Sequence, residues 1–284
     1  MRYLIRKGLT EVIDLKMSNA KGARRRGRQR GVQESEQLEG RNPVREALRA
    51  GRPIERIFVI REERTGPLAE IGRLARERGI QVEEVDKQFL DTRSITGNHQ
   101  GVMAMTTPKE YVDIETILEI AVASGEPPLL LLCDGLQDPH NLGALLRSAD
   151  AMGVHGVVIP ERRSVGLTAT VAKTSAGAVE HVPVAKVTNM VQTMRRLKEA
   201  GLWVVGAEMS AKHTLWEADL TGPLAVVVGS EGEGLGRLVS ERCDFLIRLP
   251  MSGHVNSLNA SVAGSLVLFE VRRQRCRQED APSP

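Results

Sequence analysis

Aromatic side chains make up only 3% of the 284 residues, so any core has to be aliphatic. The three cysteines, Cys133, Cys243 and Cys276, are far apart, odd in number and without Cys-x-x-Cys spacing. That pattern argues against a disulfide framework or a thiolate metal cluster and reads as free thiols of a reducing cytosol. The six histidines are scattered, so no metal site is expected. No apolar run approaches the roughly 20 residues needed to cross a bilayer. The first twenty residues also lack the unbroken apolar stretch of a secretory leader, so the expected location is the cytoplasm. The one glycine-dense loop, Gly229 to Gly236, contains no Lys-Ser/Thr pair, and its carboxylates Glu231 and Glu233 would repel a triphosphate. It is not a Walker loop, nor does the chain offer a clean Gly-x-Gly-x-x-Gly at a first strand-to-helix turn.

Charge is unevenly placed. Residues 1–31 carry ten Lys/Arg against Glu11 and Asp14, a net of +8, which leaves the rest of the chain at −5 of the overall +3. A basic arm (residues 1–36) on a mildly acidic body points to a polyanion, RNA above all, while a solubilising tail is the plainer alternative. Met17 is a second candidate start that would keep the basic cluster.

A regular pattern begins near residue 37. Asn42 and Pro43 suit the N-cap and first turn of a helix to Ala50. Strands are expected over 54–60, 81–85 and 102–105, and helices over 67–78 and 87–93, the latter capped by Asp86. This makes a small α/β unit, 37–108. Arg41, Arg45, Asn98, His99 and Gln100 stand at its element ends, where such a unit would meet RNA; taken singly, each fits a solvated surface equally well. Residues 109–128, with one amphipathic stretch and a closing Ser-Gly-Glu-Pro-Pro, read as a linker.

The second domain, 129–276, opens with Leu-Leu-Leu-Leu-Cys-Asp, a strand buried on both faces. Five or six further strands alternate with helices, which makes a largely parallel sheet. A helix is expected over 144–152, with Asp138 and Asn141 suited to cap it. Arg147 then falls near its first turn, where a cation opposes the helix dipole and calls for an anion such as Glu231 or a phosphate. The stretch from Leu224 to Ala260 holds two strand ends, each followed by a polar loop, the crevice geometry of an open α/β sheet. Residues 277–284 read as a tail.

Three segments carry a resemblance: Asp134-x-x-x-Asp138-Pro-x-Asn141-x-Gly143-x-x-x-Arg147, then Gly229-Ser-Glu231-Gly-x-Gly, then Leu249-Pro250-Met251 through Ser257-Leu258-Asn259-x-Ser261. In that order they are similar to the three motifs of SPOUT-class RNA methyltransferases of the SpoU/TrmH family. Glu39-Gly-Arg-Asn-Pro-Val-Arg-Glu-Ala-Leu resembles the opening of the ribosomal-protein-like RNA-binding domain of the RlmB branch, which methylates a guanosine 2′-hydroxyl of 23S rRNA. The resemblance implies S-adenosylmethionine as methyl donor, a C-terminal trefoil knot, a homodimer, and as substrate 23S rRNA or a ribosome-assembly intermediate. By position, Gly229, Leu249 and Leu258 would hold the donor, with Met251 lining its pocket.

Arg147 is the activator that the resemblance implies for the hydroxyl. An arginine stays protonated at ordinary pH. The reading preferred here has it contact a phosphate or the nascent alkoxide while phosphate or water takes the proton. Asn141 and Asn259 would orient the ribose, Ser257 would donate to substrate or donor, and Glu231 would fix Arg147. The bland alternative makes Ser257 and Asn259 simple caps of the last helix. Two other functions stay open: a non-catalytic RNA-binding protein of the same fold, and the same chemistry on tRNA or on the rRNA ribose of thiostrepton resistance.

Overall fold

The structure, a computed structural model, describes residues 35–61, 66–254 and 257–279. The basic arm lies outside these up to residue 34, but Glu36, expected at its end, already belongs to a strand. That strand, β1 (Glu36–Glu39), joins β2 (Ile54–Ile60), β3 (Gln81–Val85) and β4 (Val102–Thr106) in a four-stranded sheet of order β1-β4-β2-β3. Only the β2–β3 pair is parallel. Helices α1 (Arg41–Arg49), α2 (Pro67–Glu77) and α3 (Lys87–Arg93) complete the unit. Asp86 caps α3 as expected, accepting from the Phe89 N–H. Asn42 does not cap α1: Gly40 does, at φ 100°, where a side chain is strained. The missing capping group comes from across the sheet, where Gln100 Oε1 accepts from the Arg41 N–H at 3.0 Å.

Residues 109–128 are no free linker. They contain α4 (Ile114–Ser124), whose Ile114, Ile117, Leu118 and Ala121 are buried against the large sheet. The Val112 N–H donates to the Val184 carbonyl at 2.9 Å, which fixes the entry to that helix. An amphipathic segment next to an all-apolar strand had a face to cover, and covered it.

The large domain comprises β5 (Leu129–Asp134), α5 (Pro139–Ala151), β6 (Gly156–Pro160), α6 (Ala169–Thr174), β7 (Val184–Val187), α7 (Met190–Glu199), β8 (Trp203–Ala207), β9 (His213–Thr214), β10 (Leu224–Gly229), α8 (Arg237–Arg242), β11 (Phe245–Arg248) and α9 (Ala260–Glu279). Its seven strands run in the order β7-β6-β5-β10-β8-β11-β9, and every pair is parallel. The run in β5 shows why both faces are covered. Leu129, Leu131 and Cys133 pack with Leu142, Leu145, Val267 and Leu268 of α5 and α9, whereas Leu130 and Leu132 pack with Ile117, Met194 and Leu197 of α4 and α7. Period-two alternation thus divides one strand between two helix layers. Burial at that strand pushes the Cys133 thiol up to about 12, so it carries no thiolate chemistry. The chain moves outward from β5 to β7, then crosses to the other side of β10, and this reversal puts the carboxyl ends of β5 and β10 at the switch point of the sheet.

Candidate active site

Two of the three motifs meet in register. Asp134, last of β5, is the strand partner of Gly229, last of β10. Beyond Gly229 the chain closes a small loop, with Ser230 N–H to Gly234 carbonyl at 3.0 Å and the reverse bond at 3.1 Å. The fold of this loop needs glycine at Gly229: a Cβ there would lie 2.1 to 2.5 Å from backbone atoms of Gly234 and Leu235. Asp134 Oδ2 accepts from the Gly236 N–H at 2.8 Å, which ties the loop back onto β5. Asp134 opens the first motif, yet sequence reasoning gave it no role; its place at a strand end before glycine was the available signal.

The third motif reaches the same place through Asn259, just before α9. Its Oδ1 accepts from the Ser261 N–H at 2.9 Å, the Ser261 hydroxyl at 2.6 Å and the Val262 N–H at 3.3 Å. Three donors on one oxygen fix which way the amide points. Its Nδ2 therefore donates to Asn141 Oδ1 at 2.9 Å and to the Glu231 carboxylate. One side chain caps the last helix and joins residues from all three motifs. Both readings of Asn259, cap and site residue, describe the same geometry.

The consequences differ residue by residue. Asn259 has spent both amide protons, so it positions its neighbours and has no donor left for a ribose. Asn141 keeps its Nδ2 free of any bond to the described residues, although the residue is only 5% exposed. Glu231 does not hold Arg147 as expected; it holds Asn259. Arg147 is not in a first turn either. Helix α5 starts five residues earlier than expected, at Pro139 with Asp138 as cap, because Pro139 fits a first turn and the Asp138 carboxylate accepts from His140. Asn141 is accordingly inside the helix rather than capping it. Arg147 sits in the third turn, exposed, and makes no hydrogen bond or ion pair with the described residues. The dipole argument for an anion fails there, since that field is confined to the end turns.

Leu249 is nearly buried, Met251 half-buried, and Leu258 is 36% exposed. Ser257 is exposed and bonds to none of the described residues. Beside α5 runs a groove of about 310 Å³ lined by Ala144, Ser261, Val262, Ser265, Leu266 and Phe269, with the Ser148 and Ser265 hydroxyls 2.7 Å apart next to it. One turn along from Ala144, Arg147 falls on the flank bordering this groove.

In the small domain a pocket of about 360 Å³ gathers Arg41, Asn98, His99 and Gln100, together with Lys87 and Asp91. Arg45 is not among them: it turns to Glu46 at 3.0 Å and Glu70 at 3.9 Å. His99 is buried, its Nδ1 accepting from the Gly101 N–H at 3.0 Å and its Nε2 set 2.9 Å from Asp91. Its ring thus shapes the turn. Asn98 and Gln100 are exposed, as are Lys87 and Asp91.

Comparison with known proteins identifies both domains. Residues 128–269 match the SpoU rRNA Methylase family, and residues 37–112 match the domain described as RNA 2'-O ribose methyltransferase substrate binding. A Bacillus subtilis protein named for the TrmH family of tRNA/rRNA methyltransferases is 47% identical over 243 residues, 86% of this chain and 97% of its own. A Staphylococcus aureus protein of the same designation is 49% identical, covering 83% and 95%. Among solved structures, an RNA 2'-O ribose methyltransferase superimposes with a TM-score of 0.73 at 28% identity, over 95% of this chain and 96% of its own. A SpoU methyltransferase of Streptomyces viridochromogenes, crystallised with AdoMet, shares the fold at TM-score 0.72 and 24% identity, over 86% and 91%. With all three motifs joined through one asparagine beside the switch point of a parallel sheet, and with both domains matched, the chain belongs to the SpoU rRNA methylase family.

Proposed function

We propose that the protein transfers a methyl group from S-adenosylmethionine to a ribose 2′-hydroxyl of RNA, most specifically a guanosine of 23S rRNA, as a homodimer in the cytoplasm. The observation that supports this reading most directly is the hydrogen-bonded set Asn141–Asn259–Glu231, which links a helix start, the glycine loop and the start of α9. The residues present fit the donor. The glycine loop brings bare backbone close, Met251 and Leu258 offer apolar surface, and Glu231 and Glu233 suit a cationic ligand. Gly229, Leu249 and Leu258 would hold it, with Met251 against it. When bound, S-adenosylmethionine supplies an electrophilic methyl group on a sulfonium sulfur. A knotted path of the C-terminal segment is part of the same proposal.

The protein's share of the chemistry is placement, since a ribose hydroxyl is a poor nucleophile. The free Nδ2 of Asn141 donates to the ribose, and Ser257 adds a second polar contact. Arg147, a cation with no partner among the described residues, takes the phosphate next to the reacting ribose, whose oxygen or a water accepts the 2′-proton. The groove beside it has an exposed apolar rim, Val262, Leu266 and Phe269, at helical spacing along α9. A second copy covering that stripe would enclose Arg147 at the seam. In the small domain, Arg41, Asn98 and Gln100 receive the RNA.

Mapping 2′-O-methyl groups in ribosomal and transfer RNA from cells with and without the gene tests the assignment. Loss of one 23S guanosine signal is expected. Loss of a tRNA signal, or of the thiostrepton-site signal, would move the substrate and keep the chemistry; no change in any RNA would favour a binding protein without catalysis.

A further inference from the structure

The inference drawn here rests on the RNA-methylation reading above. The geometry points to Lys173 as a positioning residue that sets where bound RNA stands relative to the methyl-transfer site. Lys173 and Thr174 are consecutive residues at the end of α6, and they reach in opposite directions. Lys173 Nζ donates to Thr96 Oγ1 at 2.8 Å and to the Asn98 carbonyl at 2.6 Å. Asn98 lines the small-domain pocket with Arg41 and Gln100. Thr174 Oγ1 lies 3.2 Å from the Pro139 carbonyl at the start of α5, the helix that carries Asn141 and Arg147. Its contact with that helix is so close that a Cβ on Gly143 would lie 1.8 Å from the same oxygen. Two adjacent side chains therefore couple the pocket loop to the catalytic helix.

The loop that Lys173 holds is itself pinned from beneath. Glu39 is fully buried and accepts from the Ile95 N–H at 2.5 Å, the Thr96 N–H at 3.2 Å, the Ser94 hydroxyl at 2.7 Å and Gln37 Nε2 at 2.6 Å, as well as from the Thr96 hydroxyl. Its negative charge sits behind Thr96 and favours the ammonium in front. The lysine is half-buried and has given two of its three protons to protein oxygens, so it orders the loop and does not serve as an RNA ligand. The domains have further ties elsewhere. Arg52 bridges Glu36 at 2.7 Å and Glu180 at 2.6 Å, and His181 meets Glu46 at 3.1 Å. Removing the lysine head group should leave these in place and loosen only the tie between the loop and α6.

The test compares full-length wild type with Lys173→Met and Lys173→Arg. Each is assayed for single-turnover methyl transfer to whichever unmodified transcript, 23S rRNA or tRNA, the wild type accepts. RNA and S-adenosylmethionine dissociation constants, melting temperature and amide exchange over residues 94–98 are measured alongside. For Lys173→Met, about a tenfold or greater loss of rate at saturating RNA is expected, because small misplacements of reacting groups are costly in rate. Donor affinity and melting temperature should stay at wild-type values while exchange at Ile95 and Thr96 accelerates, and Lys173→Arg should recover most of the rate. A Lys173→Met protein with wild-type rate overturns the proposal. So does a rate loss matched by a lower melting temperature and not rescued by arginine. Wild-type protein inert toward every RNA overturns the underlying activity instead, an outcome told apart by the wild-type reaction alone.

Discussion

Asn259 offers the sharpest test, because its two roles can be separated by substitution. Alanine removes the cap, worth about 1 kcal/mol. It also leaves Asn141 Oδ1 without its partner at a position only 5% exposed, which costs about 1–3 kcal/mol. Glu231 is exposed and turns to water, so its loss adds little to stability. Asn259→Ala should therefore lose about 2–4 kcal/mol in urea denaturation. Serine caps helices about as well as asparagine, so Asn259→Ser should regain about 1 kcal/mol of that loss. It cannot restore the amide donors to Asn141 and Glu231, and its methyl transfer should stay as low as that of the alanine protein.

Asn259→Asp probes the other half. The new carboxylate keeps the cap but faces Glu231, and two unit charges near 4 Å repel by about 1–4 kcal/mol between aqueous and surface dielectric values. Repulsion favours a shared proton, so the folded pair titrates above its unfolded value. The deficit of this variant should then shrink as the pH falls into the carboxyl range, the reverse of ordinary acid destabilisation. Denaturant melts at pH 7.5 and 5.5, paired with single-turnover transfer rates, read all three variants. Should Asn259→Ser recover turnover together with stability, Asn259 is a helix cap and nothing more, and the joined-loop account of the site fails.

Gly229→Ala places its Cβ 2.1 to 2.5 Å from backbone that no rotamer change can clear, so donor binding by calorimetry should weaken at least about tenfold, with a stability loss of about 1–3 kcal/mol; Gly222→Ala, with nothing within 4 Å of its Cβ, should bind as wild type. Arg147→Ala should abolish measurable transfer and Arg147→Lys should recover little, since a point charge does not replace a planar fork on phosphate; near-wild-type rates for alanine would end its assignment. Phe269→Asp on the exposed stripe of α9 should yield a monomer by sedimentation and slow the transfer reaction, whereas an unchanged mass would remove the proposed dimer face. Burial holds His155 below its ordinary value of 6.5, with the Leu129 N–H donating to its Nδ1 at 3.0 Å. The folded state thus binds fewer protons than the unfolded one, the stability is whole above about pH 6.5, and it is lost as pH falls below that. His155→Asn, which keeps an acceptor for Leu129, should flatten this slope in melts from pH 7.5 to 5.

Repetition and breakers made the fold legible. An all-aliphatic strand such as Leu129–Cys133 can only be central, and alternation of strands with helices can only build a parallel sheet around it. Where the reading missed, the deciding interaction was distant in sequence. Gly40 caps α1 because Gln100, sixty residues on, supplies the oxygen that Asn42 seemed placed to give. The stretch 109–128 reads as a linker because its polar ends are visible in the sequence and the sheet face awaiting Ile117 is not.

The site shows the same division between residue type and partner. The family resemblance grouped Asn141, Glu231 and Asn259, but pairing depends on which donors remain after helix caps are satisfied, and a motif does not carry that count. Opposite charges suggested that Glu231 would seek Arg147. The actual partner is the Asn259 amide, because the three N–H and O–H donors of the next helix claim its oxygen and turn its nitrogen outward. Arg147 is left with no partner among the described residues. An arginine without a partner among the described residues, on a helix flanked by an apolar groove, is available to an anion from outside, and the phosphate of bound RNA is the anion we propose for it.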